Sequence, residues 1–365
     1  GTEEGFWISY DGGSSWKAFK NNLPTVSVHD IRMQQQFDDL VIATHGRSIY
    51  IMDDMTPIQQ LQTAVAAGTY MFPIRVSYQY NQRMDDEGTY TNYAAENPPS
   101  GAIIDYYLNA EQKTPPTLEI IDGSGKVVRT YKGTHEVDKK QEPYVPNKVG
   151  LNRFVWDWTI DGPVKWLGAA KKEYQGPDDG PTVPPGNYTA RLTLGSKTFS
   201  QRFTVKPDPR TIYTEAQLVE SFNFGRMGEA MYSKVNTMLN NLDTVKKSID
   251  DGIAAAKKAG DTATQSKLED VETARKAVFD QLTANYQNDE DSIQMPGKLR
   301  EDVQSIMFFS GTVITPALRD YTHRVQTELN AATANYNAFV QQQVPALNAA
   351  LKQVNVKAVT IGNGN

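Results

Sequence analysis

Four histidines, two acidic loops and a group of aromatic residues are the parts of this sequence whose types could do chemistry. His29, His45, His135 and His323 are dispersed, and none forms a recognisable metal motif with a His, Asp or Glu three or four residues away. His45 has the strongest case. It sits with Arg47 in Thr44-His45-Gly46-Arg47, between two strand-like runs, and Asp53-Asp54 follow the second run. Placed at the rim of a binding site, Arg47 would clamp an anion. As an ordinary hairpin turn, Gly46 would take positive φ and Arg47 would pair with Asp53 or Asp54; the turn is the simpler reading. Asp85-Asp86-Glu87 and Asp178-Asp179-Gly180 could offer oxygens to a hard cation such as Ca²⁺. Neither has the alternating ligand spacing of an EF-hand, so solvated turns are preferred and no cofactor is expected. Trp156, Trp158 and Trp166, with Tyr106 and Tyr107, could form a platform for a sugar ring. Trp156 and Trp158 lie two apart and would share one face of a strand, where a buried core role competes and is preferred.

The elements that must hold these residues change character along the chain. Ser9-Tyr10-Asp11-Gly12-Gly13-Ser14-Ser15-Trp16 reads as the turn of a β-hairpin: the glycines supply positive φ, Asp11 accepts backbone N–H groups, and Trp16 tucks its ring beneath. Val28 to Met33, Asp39 to Thr44 and Ser48 to Met52 follow as strands. Residues 55–75 read as a linker with a short helix from Ile58 to Ala67 that Gly68 ends. Short strands with turn signals between them then fill 76–207, at Ala102 to Leu108, Thr117 to Asp122, Lys126 to Tyr131, Asn152 to Trp158, Gly186 to Leu194 and Lys197 to Val205. Gly123-Ser124-Gly125 marks a hairpin. The stretch from Gly162 to Thr182, rich in Pro, Gly and Asp, reads as a long loop, and such loops are usually functional or mobile.

Beyond Lys206-Pro207-Asp208-Pro209-Arg210 the period lengthens. Met231, Val235, Met238, Leu242, Val245 and Ile249 make one stripe of a long helix. Leu268, Val271, Val278 and Leu282 line a second helix, and Leu318, Tyr321, Val325, Leu329, Ala332, Tyr336 and Phe339 a third. A shorter helix from Met295-Pro296-Gly297 lies between them, and a final turn follows Pro345. Short connections favour an antiparallel bundle. The expected fold is therefore multidomain β plus α, with terminal blade-like strands over 1–54, a linker over 55–75, a β-sandwich over 76–207, a helical bundle over 208–356 and a tail over 357–365.

Three phrases carry a family resemblance. Ser9, Asp11, Gly13 and Trp16 match the S-x-D-x-G-x-x-W Asp-box, or neuraminidase repeat, and Leu40 to Asp54 resembles the ATHGR-strand-DD ending of bacterial sortilin-like β-propeller proteins, often labelled glycosyl hydrolases. Gly150 to Asp157 with Val183 to Ala190 resembles the immunoglobulin-like domain of flagellar hook-capping proteins. The resemblance implies partial propeller blades, an immunoglobulin-like sandwich and a helical domain, at the C-terminal end of a secreted, periplasmic or cell-surface bacterial protein. It also implies a structural role for the Asp-box, and a ligand site near His45, Arg47, Asp53 and Asp54 at the channel or rim of a ring. Sialidase chemistry needs three arginines, a tyrosine nucleophile and a glutamate drawn from several blades, which one and a half blades do not supply. The expected role is thus non-catalytic, in binding or assembly, with the upstream propeller portion, in the same protein or in a separate chain, as the partner. The alternatives are an accessory region of a glycan-active hydrolase and a peptide or protein receptor.

Composition narrows the field further. The 365 residues carry a net charge of −6, and with dispersed Lys and Arg a nucleic-acid partner is not expected. The absence of cysteine excludes disulfides and thiolate metal sites, and no run reaches the roughly 20 apolar residues of a transmembrane helix.

Overall fold

The computed structural model describes every residue except 81–96, 138–139, 170–171, 284–297, 309–312 and 365. The chain is mixed β and α, with several small sheets, none closed. It divides into two compact units, residues 1–158 with 185–211, and residues 159–184 with 212–365.

In the first unit, β1 (Trp7–Ile8) and β2 (Lys17–Ala18) pair across a turn in which Gly12 and Gly13 take φ of 71° and 96°. Then β3 (Val28–Gln34), β4 (Asp39–Thr44) and β5 (Ile49–Met52) form an antiparallel sheet in that order. Its register sets Leu40 opposite Met52 and Ile42 opposite Tyr50. These side chains face a small core with Phe6, Val28 and Met55. Because successive side chains of a strand point to opposite sides, Val41, Ala43, Ile49 and Ile51 fall on the other face. There Ile49 and Ile51 are 61% and 63% exposed.

Helices α1 (Thr56–Gln59) and α2 (Leu61–Ala67) follow, and Gly68 stops the second at φ 73°. The strands continue as β6 (Thr69–Met71), β7 (Ser77–Gln79), β8 (Ala102–Leu108), β9 (Thr117–Ile121), β10 (Val127–Tyr131), β11 (Thr134–Val137), β12 (Lys140–Pro143), β13 (Gly150–Trp156), β14 (Thr159–Asp161), β15 (Asp179–Thr182), β16 (Gly186–Leu194) and β17 (Lys197–Pro207). One sheet has the order β10-β9-β16-β17-β7 and another β13-β8-β6. Trp156 joins the two: its ring lies 5.4 Å from Tyr188 and 6.0 Å from Phe203. The β9–β10 hairpin turns where expected, with Asp122 Oδ1 accepting from the backbone of Ser124 and Lys126.

The second unit contains the β14–β15 pair with α3 (Glu215–Ala259), α4 (Thr262–Leu282), α5 (Leu299–Phe308) and α6 (Pro316–Gln353). Each long helix starts on a capping side chain: Thr214 with Gln217 in a capping box, Asp261 to the N–H of Thr264, and Thr315 to that of Leu318 ahead of Pro316. The stripe from Met231 to Ile249 is buried, as are Leu268, Val271, Val278 and Leu282 and most of the α6 stripe. A Cβ on Gly228 would lie 2.6 Å from Met307 N, so only glycine lets α5 approach α3 so closely.

Two expectations change in the structure. First, α6 runs through Pro345 to Gln353 instead of breaking there. Pro345 removes one helical N–H, but it and Gln341 both face solvent, where water can satisfy the Gln341 carbonyl. Val344, Leu347 and Leu351 meanwhile continue the buried stripe. Second, the segment from Gly162 to Thr182 is not an open loop. It is bracketed by the β14–β15 pair, and side chains of α3 bond its backbone: Asn236 Nδ2 donates to Val164 O at 2.7 Å, Asn240 Nδ2 to Lys165 O at 2.8 Å, and Val164 N donates to Ser233 Oγ at 3.0 Å. The tail, for which the sequence suggested no arrangement, docks on α6. Asn348 brackets Val359 through both its amide atoms, and Tyr336 donates to Gly362 O at 2.8 Å.

Candidate functional site

A cavity of about 330 Å³ opens in the first unit, among the ends of strands and the turns between them. Phe37 reaches it from the β3–β4 turn, Tyr78 from β7, Tyr80 from just past that strand, and Arg210 from beyond β17. Arg75 Nη1 donates to Phe37 O at 2.8 Å and to Asp39 Oδ1 at 2.9 Å, and its guanidinium lies 5.6 Å from the Phe37 ring centre. Phe37 meets Tyr78 edge-on at 5.7 Å, and Tyr78 stacks on Tyr80 at 5.5 Å with 18° between planes. Trp158 closes the inner wall. Its indole N–H donates to Ser77 Oγ at 2.8 Å, which in turn donates to Gly101 O at 3.1 Å.

Trp158 does not share a strand face with Trp156, as their spacing suggested. Strand β13 ends at Trp156, and Trp158 takes φ of 63°, a conformation that costs a bulky residue about 1–3 kcal/mol unless its surroundings fix it. That turn sends one indole into the core and the other to the cavity. Tyr106 is buried with its hydroxyl donating to Pro146 O, and burial pushes its ionisation far up; Tyr107 is half-buried. Trp166 lies buried in the second unit. Trp156 and Tyr106 are thus buried side chains, as the preferred core reading had it, and not parts of an exposed sugar platform.

Next to the cavity stands a set of carboxylates with their guanidiniums. Asp39 Oδ1 also accepts from Asp54 N at 2.9 Å, and Asp54 Oδ1 from Thr56 N at 3.1 Å. Arg153 binds Asp105 through two bonds of 2.9 and 2.8 Å. Burial, with Asp39 nearby, raises the Asp53 carboxyl above its usual range, while Arg75 and Arg153 pull it down. Arg47 is not their partner. The β4–β5 turn and Asp53 lie at opposite ends of the four-residue strand β5, about 13 Å apart at strand rise. Arg47 and His45 are exposed, Gly46 takes φ of 76° as the turn requires, and the His45 ring lies 5.0 Å from that of His29. Arg75 and Arg153 escaped the sequence reading because nothing local links them to Asp39 or Asp105, which lie 36 and 48 positions away. The Ser77-Tyr78-Gln79-Tyr80 alternation was the one visible signal for the cavity.

The Asp-box residues meet within their own turn. Ser9 Oγ donates to Asp11 Oδ1 at 2.8 Å and accepts from Gly13 N at 2.7 Å. Asp11 also accepts from Ser15 N at 2.8 Å and from Ser15 Oγ at 2.6 Å. Trp16 is 60% exposed; its indole donates to Gly13 O at 3.2 Å, so the ring flanks the turn rather than lying beneath it. The Ser15 hydroxyl, followed by the Ser15 N–H and the Ser9 hydroxyl, lowers the Asp11 carboxyl to about 2. A depressed folded value means that the turn's contribution is present above the unfolded carboxylate value and is lost as pH falls through about 2. An NMR titration of Asp11 should therefore show a midpoint near that value, and Ser15→Ala should move it upward. An ordinary carboxylate midpoint in the unaltered protein would contradict the geometry.

Among the described residues no group of three or more His, Asp or Glu is placed to hold a metal. Asp178 pairs with Lys165, and Asp179 sits in β15 opposite Asp161. Asp85, Asp86 and Glu87 lie outside the described residues. Among the described residues no helix is long and apolar enough to cross a membrane. Two surface features stand out in the first unit, the aromatic cavity and the exposed Ile49 and Ile51 on the outer face of the β4–β5 hairpin. No protein-family model matches the chain, and no curated protein matches its sequence.

Proposed function

We propose that this chain serves binding or assembly as the non-catalytic C-terminal part of an exported, sortilin-like β-propeller protein. In this reading residues 1–54 are blade segments, 76–207 an immunoglobulin-like sandwich and 208–356 an antiparallel bundle. The partner is the upstream propeller portion, from the same protein or a separate chain. One observation carries the proposal. The β4–β5 hairpin is apolar on both faces: Leu40, Ile42, Tyr50 and Met52 serve the core, while Val41, Ala43, Ile49 and Ile51 lie on the other side, where Ile49 and Ile51 stand exposed beside the Asp30–Arg32 ion pair of β3. Strands apolar on both faces are the pattern of a sheet covered on both sides, and a clustered exposed apolar patch marks a contact surface. Neighbouring blades in a propeller provide such a cover. The Asp-box turn supports the same assignment because its side-chain bonds hold a hairpin together and leave Asp11 no catalytic task.

The test is light scattering of natively purified material with sequencing of every co-eluting chain. We expect an associated propeller segment in the unaltered protein, and its loss in the Ile49→Asp/Ile51→Asp variant with helical content unchanged. A lone 40.7 kDa species whose solubility is indifferent to the double substitution would refute the proposal.

A further inference from the structure

We propose that the aromatic cavity of the first unit is a binding site for a single neutral pyranose ring. The cavity borrows Asp39 from β4 but not the exposed Ile49 and Ile51, and its test reads ligand binding and not association, so the two proposals can fail separately. The cavity's size, about 330 Å³, is at the lower end of the roughly 300–1,000 Å³ of small-molecule sites. That suits one ring and not an extended polymer segment.

The walls match the two chemical sides of a pyranose. Its C–H face needs an aromatic ring to lie against, and Tyr80 supplies one. Tyr80 is 39% exposed, with Tyr78 stacked behind it and Phe37 bracing Tyr78 edge-on. The hydroxyl rim needs donors and acceptors side by side. Arg75 and Asp39 provide both at 2.9 Å from each other, and the side chains of Asn97 and Ser100 in the lining can donate or accept.

The site is also built in advance. The Trp158–Ser77–Gly101 chain of hydrogen bonds locks the inner wall. A Cβ on Gly101 would lie 2.4 Å from Val155 Cγ1 and 2.6 Å from Trp156 O, so that wall closes only with glycine. Charge argues for a neutral ligand. Arg75 is matched by Asp39, and Arg210 is held by Asp208 through bonds of 2.9 and 2.6 Å. Lys206, 5.9 Å over Tyr78, adds one positive charge outside the lining.

Saturation-transfer NMR on the full chain tests this with methyl β-glucopyranoside, methyl α-mannopyranoside and N-acetylglucosamine, beside glucuronate and a proline-rich peptide. We expect millimolar binding of at least one neutral glycoside with transfer strongest at its C–H face. Tyr80→Ala should weaken it about tenfold and Tyr80→Phe should retain it. The thermal transition should not move in either variant, since Tyr80 is partly exposed. Silence from every neutral glycoside, binding of glucuronate or of the peptide alone, or an unchanged signal in Tyr80→Ala would each overturn the assignment.

Discussion

Replacing Arg300 with alanine is expected to destabilise the helical unit by about 2–6 kcal/mol, because two buried acceptors each lose their donor. Arg300 is 3% exposed at the start of α5. Its Nε donates to Asn236 Oδ1 at 2.8 Å and its Nη2 to Tyr174 O at 2.7 Å, while the guanidinium sits 5.2 Å from the Trp166 ring centre and 4.9 Å from that of Tyr232. One side chain thus fastens the 159–184 segment to α3 and α5. Alanine would remove donors from two acceptors and empty the slot between two rings, and each lost buried hydrogen bond alone costs about 1–3 kcal/mol. Arg300→Lys keeps the charge without the planar fork and should recover only part of the loss. Arg300→Met should fill the slot without bonding. Trp166 is the only tryptophan in this unit, so denaturant unfolding followed through its emission reads the effect. An alanine variant within about 1 kcal/mol of the parent would show that aromatic packing alone holds the segment.

Such contacts explain which parts of the fold were legible in the sequence. The stripe from Met231 to Ile249 and the short apolar run of Ala102 to Leu108 are local patterns, and those elements form where the patterns lie. The Asp11 turn is equally local, since all its hydrogen-bond partners lie within four residues. The 159–184 segment was not legible. Its Pro, Gly and Asp content correctly reports a lack of α-helix or long strand among its described residues, which hold one 3-10 turn at Lys172–Gln175, but its order comes from Ser233, Asn236, Asn240 and Arg300, some 70 to 126 residues away. Pro345 misled for a related reason. A helix break is a local expectation, and the buried stripe on both sides of it is a tertiary one that prevailed. The cavity combined both cases: Tyr78 and Tyr80 alternate visibly, whereas Phe37, Arg75, Trp158 and Arg210 meet them only through the fold.

The counterpart in the first unit is Trp156→Ala, for which a loss of about 3–5 kcal/mol is expected because a large buried side chain leaves a void the sheets cannot fill. Trp156 is fully buried and packs at 59° against Tyr188 and at 84° against Phe203, two rings from adjacent strands of the other sheet that lie 6.1 Å from each other. These inclined geometries put ring edges against ring faces, which is worth about 0.5–1.5 kcal/mol per pair beyond the area buried. Alanine removes both contacts at once. The backbone gives little room for collapse, since β13 is held to β8 along seven consecutive residue pairs, from Gly150 opposite Leu108 to Trp156 opposite Ala102. Trp156→Phe, which keeps one ring in place, should lose less than alanine. Amide hydrogen exchange in β8 and β13 gives the local reading: protection there should fall by the full destabilisation in Trp156→Ala. If those amides exchanged no faster than in the parent, the two sheets would have to be held together by something other than this aromatic cluster.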